Sequence, residues 1–434
     1  MTTTAYDSIV IGAGLAGLVS AISLQMRGYR VLVVERRTVA GGLCGTQVFD
    51  GHEFVMGCNE FGLGAAGELE KLGVGISFRK VKSRFNIDGD IYDIPLEPKI
   101  LLKLAKWAPD LIRIGTVFSK RERWERYLNL GPLIDANIKN PKLADFISVF
   151  SYALGASPAD LALDDFLSGF SKDLGYGHDH PVIPEGGPRH LVQCMVQRFE
   201  SLGGTLLLDA GSASISRENN DHIVTTSHGS YKGRRIITSE GRWKLYPKNS
   251  KSGLSIGIFH LLIQKDLPFP DGFHTLAYFP KNAADWLSRT DRGELPAEFG
   301  FHLFAGELPI SNGAYPLNLY FMCPRGMEQF PEAMVQRIKE YTFETAEKLL
   351  PGFRKALVYE RFVSPKQYEE LYGLSAAAVK LLPPAGFEKP DAYEIERDIY
   401  HIGNSVKPFG EHTGGAILSG LNAARMVEKD LARP

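Results

Sequence analysis

The run Gly12-Ala13-Gly14-Leu15-Ala16-Gly17 spells GxGxxG. Glycines at this spacing hold phosphate rather than break bonds. Gly12 permits a tight turn, Gly14 removes the side chain that would keep a pyrophosphate off the backbone, and Gly17 lets a helix approach a strand. The amides exposed there, with the start of a helix behind them, carry partial positive charge and favour an anion. Glu35 follows Gly14 by 21 residues. A carboxylate at that spacing accepts hydrogen bonds from ribose hydroxyls and repels a 2′-phosphate. The implied chemistry is the holding of a dinucleotide that lacks that phosphate.

Such a turn works only between particular elements. Ser8-Ile9-Val10-Ile11 is a continuous apolar run, which predicts a buried parallel strand. Leu15 and Ala16 open a helix that runs to Arg27 and stops at Gly28. Arg30 to Val34 predicts a second buried strand, closed by Glu35 and Arg36. With strand, helix and acid all present, the full dinucleotide fingerprint is met. A glycine doublet, Gly41-Gly42, follows directly, and after it Leu43 and Cys44.

Two distant segments carry further glycine signals. Pro184-Glu185-Gly186-Gly187-Pro188 opens a helical pattern that Gly203-Gly204 stops. Thr205–Asp209, Ala213–Ile215, His222–Thr226 and Arg234–Thr238 then read as strands. Near the C-terminus, a strand pattern at 399–402 ends in Gly403-Asn404. Gly410-Glu411-His412-Thr413-Gly414-Gly415-Ala416 leads into a helix whose apolar positions 417, 421, 424, 427 and 431 share one face. Thr413 is the expected N-cap.

Composition narrows the classes. The 434 residues carry 49 Lys and Arg against 50 Asp and Glu, with 44% hydrophobic residues. That balance fits a folded globular chain and gives no basic excess for nucleic acid. No apolar run is long enough for a membrane span, and the first residues lack a basic leader. Four scattered cysteines predict neither a disulfide framework nor a metal site, so a cytoplasmic location is expected.

The three glycine segments, in this order, resemble the flavoprotein superfamily of flavin amine oxidases and phytoene desaturases. The resemblance implies an α/β fold: a Rossmann-type FAD-binding domain of the GR2 type, joined to an α+β substrate domain of antiparallel sheet and helices. Residues 1–90, 183–244 and 391–434 would form the discontinuous FAD-binding domain, and 91–182 with 245–390 the substrate domain. It further implies that Gly41 and Gly42 lie on the pyrophosphate and ribityl chain. The family's usual Arg just beyond them is replaced by Leu43 and Cys44. Ala213 would stand near the adenine. Gly403 and Asn404 would meet the ribityl chain or phosphate, where the family often has an acid. Gly414, Gly415 and Ala416 would aim a helix start at the flavin, stabilising the negative charge of its reduced form. No cysteine lies in that motif, so non-covalent FAD is implied.

The implied reaction is oxidation of a C–N or C–C bond by hydride transfer to flavin N5, with O2 or another acceptor taking the electrons. The substrate would be a small molecule or carried on a partner. Two alternatives stay open: a non-redox isomerase that uses reduced flavin, and a cofactor-free lipid escort similar to GDP-dissociation inhibitors. His412 and Glu411 are the candidate proton-handling residues. Phe301, Tyr320 and Met322 are candidate substrate liners on predicted strands, although core packing is the commoner role for such residues. Arg325 is a candidate partner for a carboxylate or phosphate. Between 99 and 126, eight basic residues stand against three acidic ones. Lys99, Lys103, Lys106, Asp110 and Arg113 repeat at helical spacing as one polar stripe. A solvated face and a peripheral membrane contact both fit that pattern.

Overall fold

The computed structural model describes residues 5–58, 60–96, 105–168, 180–308, 313–408 and 411–432. The chain begins with β1 (Ala5–Ile11), α1 (Leu15–Gln25) and β2 (Val31–Val34). The hairpin β3 (Thr46–Phe49) and β4 (His52–Val55) follows, then β5 (Phe61–Gly62), α2 (Leu63–Lys71), β6 (Phe78–Lys80), β7 (Lys82–Ile87) and β8 (Asp90–Ile94). A helical insert holds α3 (Ala108–Phe118), α4 (Arg121–Trp124), α5 (Leu130–Asn137), α6 (Pro141–Ser148) and α7 (Leu163–Ser168). The chain returns through β9 (Pro181–Pro184), α8 (Gly187–Ser201), β10 (Thr205–Leu207), β11 (Ser214–Glu218), β12 (Asp221–Thr226) and β13 (Gly229–Thr238). Next come β14 (Ile256–Gln264), β15 (Phe273–Phe279), α9 (Ala283–Asp291), β16 (Phe301–Ala305) and β17 (Ala314–Met322). The last stretch holds α10 (Glu332–Leu349), α11 (Phe353–Ala356), β18 (Leu357–Val363), α12 (Pro365–Tyr372), β19 (Tyr393–Glu394), β20 (Ile399–His401) and α13 (His412–Leu431).

Two large sheets organise these elements. The eight-stranded sheet runs β10-β2-β1-β13-β12-β11, with β20 beside β13 and β19 beside β20. Its parallel strands end together: Ile11 is level with Val34 and Thr238, and Thr238 with His401. Both β1 and β2 are apolar because both their faces are covered, and Ile9 and Val10 are fully buried. The carboxyl ends of β1, β2, β13 and β20 thus share one edge, the usual ligand edge of such sheets.

The seven-stranded sheet runs β18-β14-β17-β16-β15-β7-β8 and is antiparallel apart from the β15–β7 pair. β7 and β8 belong here, so the first crossover between sheets falls near residue 81, earlier than the expected boundary at 90. The pattern of 82–87 alternates like any half-buried strand and carries no label for its sheet. Phe259, Leu261, Leu319, Phe321 and Leu303 turn to one side, where α10 supplies Ile338 and Phe343 to the same core.

The 99–126 stretch differs from the single polar stripe. Lys99 and Lys103 lie outside the described residues. Asp110 is buried at 5% exposure and accepts hydrogen bonds from the amides of Lys139 (3.0 Å) and Asn140 (2.8 Å) and from Arg113 (3.2 Å). Capping the next turn is worth more to that carboxylate than solvent. The outward face of α3 instead shows Leu111 and Ile112, the latter 70% exposed. Among the described residues, no helix is long and apolar enough to cross a membrane.

Candidate cofactor and active site

The glycine turn is as tight as its sequence requires. Gly12 has φ +107°, and a Cβ there would stand 2.2 Å from Ser239 Oγ. A Cβ on Gly17 would stand 1.9 Å from the Gly12 carbonyl oxygen, so α1 presses directly on the turn. Gly14 differs. Its φ of −74° suits any residue, and a Cβ would meet only the Gly42 Cα, at 4.0 Å. Leu15 and Ala16 are buried at the start of α1. Glu35, 7% exposed, lies over the turn: Ala13 N donates to its Oε2 (2.8 Å) and Arg37 N to its Oε1 (3.0 Å).

The glycine doublet folds against this turn. Gly41 N donates to the Ala13 carbonyl (2.8 Å), and a Cβ on Gly42 would come 3.3 Å from Gly14 Cα. Leu43 is half exposed. The missing arginine has a spatial counterpart that the sequence did not announce. Arg37 reaches back, and its Nη1 donates to the Gly42 carbonyl (3.2 Å). Arg36 turns instead to the Gly373 carbonyl beyond α12. Both arginines line a cavity of about 1110 Å³, with Gly42, Cys44, Arg189 and Asp209 also on its wall. That volume is a little above the usual span of small-ligand sites, ~300–1,000 Å³. Ala213 lies just before β11, in a connection pinned by Asp209 N to Arg37 O (2.8 Å) and Ala210 N to Glu35 O (3.0 Å).

The C-terminal helix meets the turn from the other side. A Cβ on Gly420 would stand 2.4 Å from the Ala16 carbonyl oxygen, so α13 and α1 cross in backbone contact. The buried Gly414 and Gly415, and Ala416, precede that crossing by about 6–9 Å of helix axis at ~1.5 Å per residue. One elongated ligand can touch both the turn and this tip. Gly403 lies left-handed at φ +94° with open space beside it, and its amide donates to Ser419 Oγ (2.8 Å). Asn404 Oδ1 is buried and has no hydrogen-bond partner among the described residues. An open glycine edge and an orphaned acceptor fit a hydroxyl-bearing ribityl chain. α13 starts at His412, so Glu411 and not Thr413 is its N-cap. His412 itself has φ +65°, an uncommon state for a non-glycine residue that costs of order 1–3 kcal/mol.

Glu411 does not stand open. Lys389 Nζ donates to its Oε1 (2.5 Å) and to the Asn404 carbonyl (2.7 Å), and both charged side chains are buried, at 0% and 4% exposure. Burial pushes the Glu411 carboxyl up, while Lys389 and the Asn404 side chain pull it down. Asp165 of α7 lies beside them. Burial first, then the Glu411 charge, pushes its carboxyl up to about 7. The folded protein therefore holds the Asp165 proton more tightly than the unfolded chain does. Its stabilising effect is complete below about pH 4 and is lost as pH rises through about 7. Asp165→Asn should gain on the wild type across that window by at most about 1.4 kcal/mol per pH unit. Denaturant melts at pH 4, 6 and 8 check this, and parallel curves would contradict it. Lys389 has no sequence signal: it stands 22 residues from Glu411, outside every glycine segment.

The seven-stranded sheet turns a polar face toward the β3–β4 hairpin. His260 Nδ1 donates to Asn318 Oδ1 (2.8 Å), and Asn318 Nδ2 donates to Tyr320 Oη and the Val55 carbonyl, both at 2.8 Å. His302 stacks on Tyr320 with ring centroids 5.3 Å apart. Burial holds His260 down to about 4 and His302 down to about 3, so both are neutral near pH 7. Tyr320 lies on this face, whereas Met322, at the end of β17, is buried in the same core cluster as Phe259 and Phe321. Phe301 does not lie on this face. It points to the opposite side, fully buried, with Tyr341 of α10 6.4 Å away ring to ring. Alternation fixes two faces but cannot say which one meets the ligand. Arg325 is also engaged elsewhere, with Asp291 (Nη2 to Oδ1, 2.5 Å) and the Ser252 carbonyl (2.9 Å). Among the described residues, no group of three or more His, Cys, Asp or Glu is placed to hold a metal ion.

Residues 15–242 match the family of flavin containing amine oxidoreductases, which is more than half of the chain. The chain belongs to this family. It is a flavin-dependent oxidoreductase, acting on a small-molecule substrate and passing electrons to an acceptor. The match places it among redox enzymes rather than cofactor-free escort proteins. Phytoene desaturase (lycopene-forming) of Paracoccus is 22% identical across 99% of this chain and 98% of its own length. Prolycopene isomerase of Daucus carota is 43% identical, but over 65 residues, 15% of this chain and 11% of its own. Among solved structures, a putrescine oxidase superposes with a TM-score of 0.70 over 98% of this chain and 100% of its own, at 15% identity. The mixed α/β fold is therefore the family's.

Proposed function

We propose that the chain binds FAD without a covalent link along the carboxyl edge of its eight-stranded sheet, and oxidises a C–N or C–C single bond of an organic substrate. One observation carries the reading. The Gly14 edge and the Gly403–Asn404 edge are both open, and the Gly420–Ala16 contact brings the helix tip and the glycine turn within reach of one molecule. Glu35 supports the ribose end, Arg37 and the turn amides the phosphates, and Ala213 the adenine side. A bound flavin supplies a two-electron acceptor. The protein's own part is to orient the substrate, exclude water and take one proton. His412 at the helix tip is the candidate to take it, because burial makes His302 on the sheet face too weak a base near pH 7.

The test is direct. Purified protein should be yellow and release FAD on acid precipitation, with no flavin left on the chain. Anaerobic mixing with amines, amino acids and polyenes should bleach the colour for one class, and air should restore it. Colourless protein that takes up no FAD would overturn the reading. Turnover of a substrate without net flavin reduction would favour the isomerase alternative instead, to which the 65-residue likeness lends support. Glu35→Ala should weaken FAD binding by about 1–3 kcal/mol, the range for lost charge-assisted hydrogen bonds. Fluorescence titration of apoprotein checks this, and an unchanged Kd would remove Glu35 from the ribose site.

A further inference from the structure

Glu411 occupies the N-cap of α13 and yet makes no capping hydrogen bond. A carboxylate at a helix start is attracted by the free first amides and the positive end of the helix. Here its carboxylate is drawn away, because Lys389 Nζ donates to it at 2.5 Å and to the Asn404 carbonyl at 2.7 Å. The ammonium comes from the segment before β19, and its two acceptors bracket the connection between β20 and α13. Burying such a pair is expensive, several kcal/mol of desolvation per ion before the attraction is counted. An apolar pair would hold the same loop at lower cost. The ion pair does something an apolar pair cannot: it removes an anion from the helix start and cancels its charge.

We propose that Lys389 is a positioning residue for the cofactor, acting through Glu411. It strips the N-cap carboxylate from α13, so that the helix's first amides and its positive end stay available to the electron-rich reduced flavin. This rests on the cofactor reading above. Without the ammonium, only the Asn404 side chain still holds Glu411, which can then swing back toward α13 and compete with the flavin for those amides. Its negative charge then opposes reduction.

The experiment measures the two-electron reduction potential of the bound flavin, with flavin content recorded for each variant. Lys389→Met should lose at least tenfold in preference for reduced over oxidised flavin, a fall of about 30 mV. Adding Glu411→Ala to that variant should restore the wild-type potential, and Lys389→Arg should keep it. Glu411→Ala alone, which leaves the cation uncompensated, should raise the potential and serves if Lys389→Met does not fold. An unchanged potential in both single variants, with flavin content intact, would overturn the proposal. So would a double variant as low as Lys389→Met, because Lys389 would then act by its own charge and not through Glu411. A wild-type protein that takes no flavin would instead overturn the cofactor reading itself.

Discussion

Gly14→Val is expected to give a folded protein that holds no flavin. The position has backbone angles open to any residue and room for a Cβ. Its φ is −74°, in the range of ordinary residues, and an added Cβ would meet nothing nearer than the Gly42 Cα at 4.0 Å. The added methyls therefore enter the open space over the turn, which is where a pyrophosphate must lie against the amides. Losing that approach should cost at least a hundredfold in affinity, about 3 kcal/mol. Gly12 is a poor substitute for this test. Its φ of +107° and the 2.2 Å approach to Ser239 Oγ mean that any side chain there damages the fold as well. Circular dichroism and a thermal melt should match the wild type for Gly14→Val, while FAD titration shows no binding. Retained flavin at full occupancy would sink the placement of the cofactor.

The fold of the glycine-bearing half was legible because its signals are backbone signals. GxGxxG, the acid after β2 and the Gly-Gly-Ala helix start constrain turns and close approaches, and local sequence carries those constraints. The single apolar face of α13 was equally readable, and 417, 421, 424, 427 and 431 are all buried. What escaped depends on tertiary pairing. β7 joins the second sheet by a parallel pair with β15, some 190 residues on, and nothing in 82–87 names that partner. Phe301 and Tyr320 sit on strands that were both read correctly, yet they face opposite ways. Asp110 looked like part of a solvated stripe because the amides it accepts from, those of Lys139 and Asn140, lie 29 and 30 residues on, beyond α4 and α5. Glu411 looked like an open base because a lysine 22 residues upstream gives no sign that it will be buried. Arg37 was overlooked beside Arg36 for a simpler reason: both lie in the bend that follows β2, and the sequence does not say which one turns to the glycine doublet.

The second large effect concerns how the two halves of the site are held together. Gly420→Val should destabilise the protein by about 3 kcal/mol, the upper end of the cost of overpacking a close-packed contact. The added Cβ would stand 2.4 Å from the Ala16 carbonyl oxygen and 3.1 Å from its carbon. Both neighbours are backbone, so no side chain can move aside, and α13 must shift off α1. That shift also withdraws Gly414, Gly415 and Ala416 from the turn, although none of them is altered. Flavin content should therefore fall together with the melting temperature, and excess FAD should recover part of both by mass action. Gly67→Ala is the matched control, a helical glycine with nothing within 4 Å of an added Cβ, and it should lose neither. A Gly420→Val protein with wild-type stability and a wild-type flavin Kd would show that the helix crossing does not position the cofactor, and the approach of the glycine turn and the helix tip to one molecule would lose its structural basis.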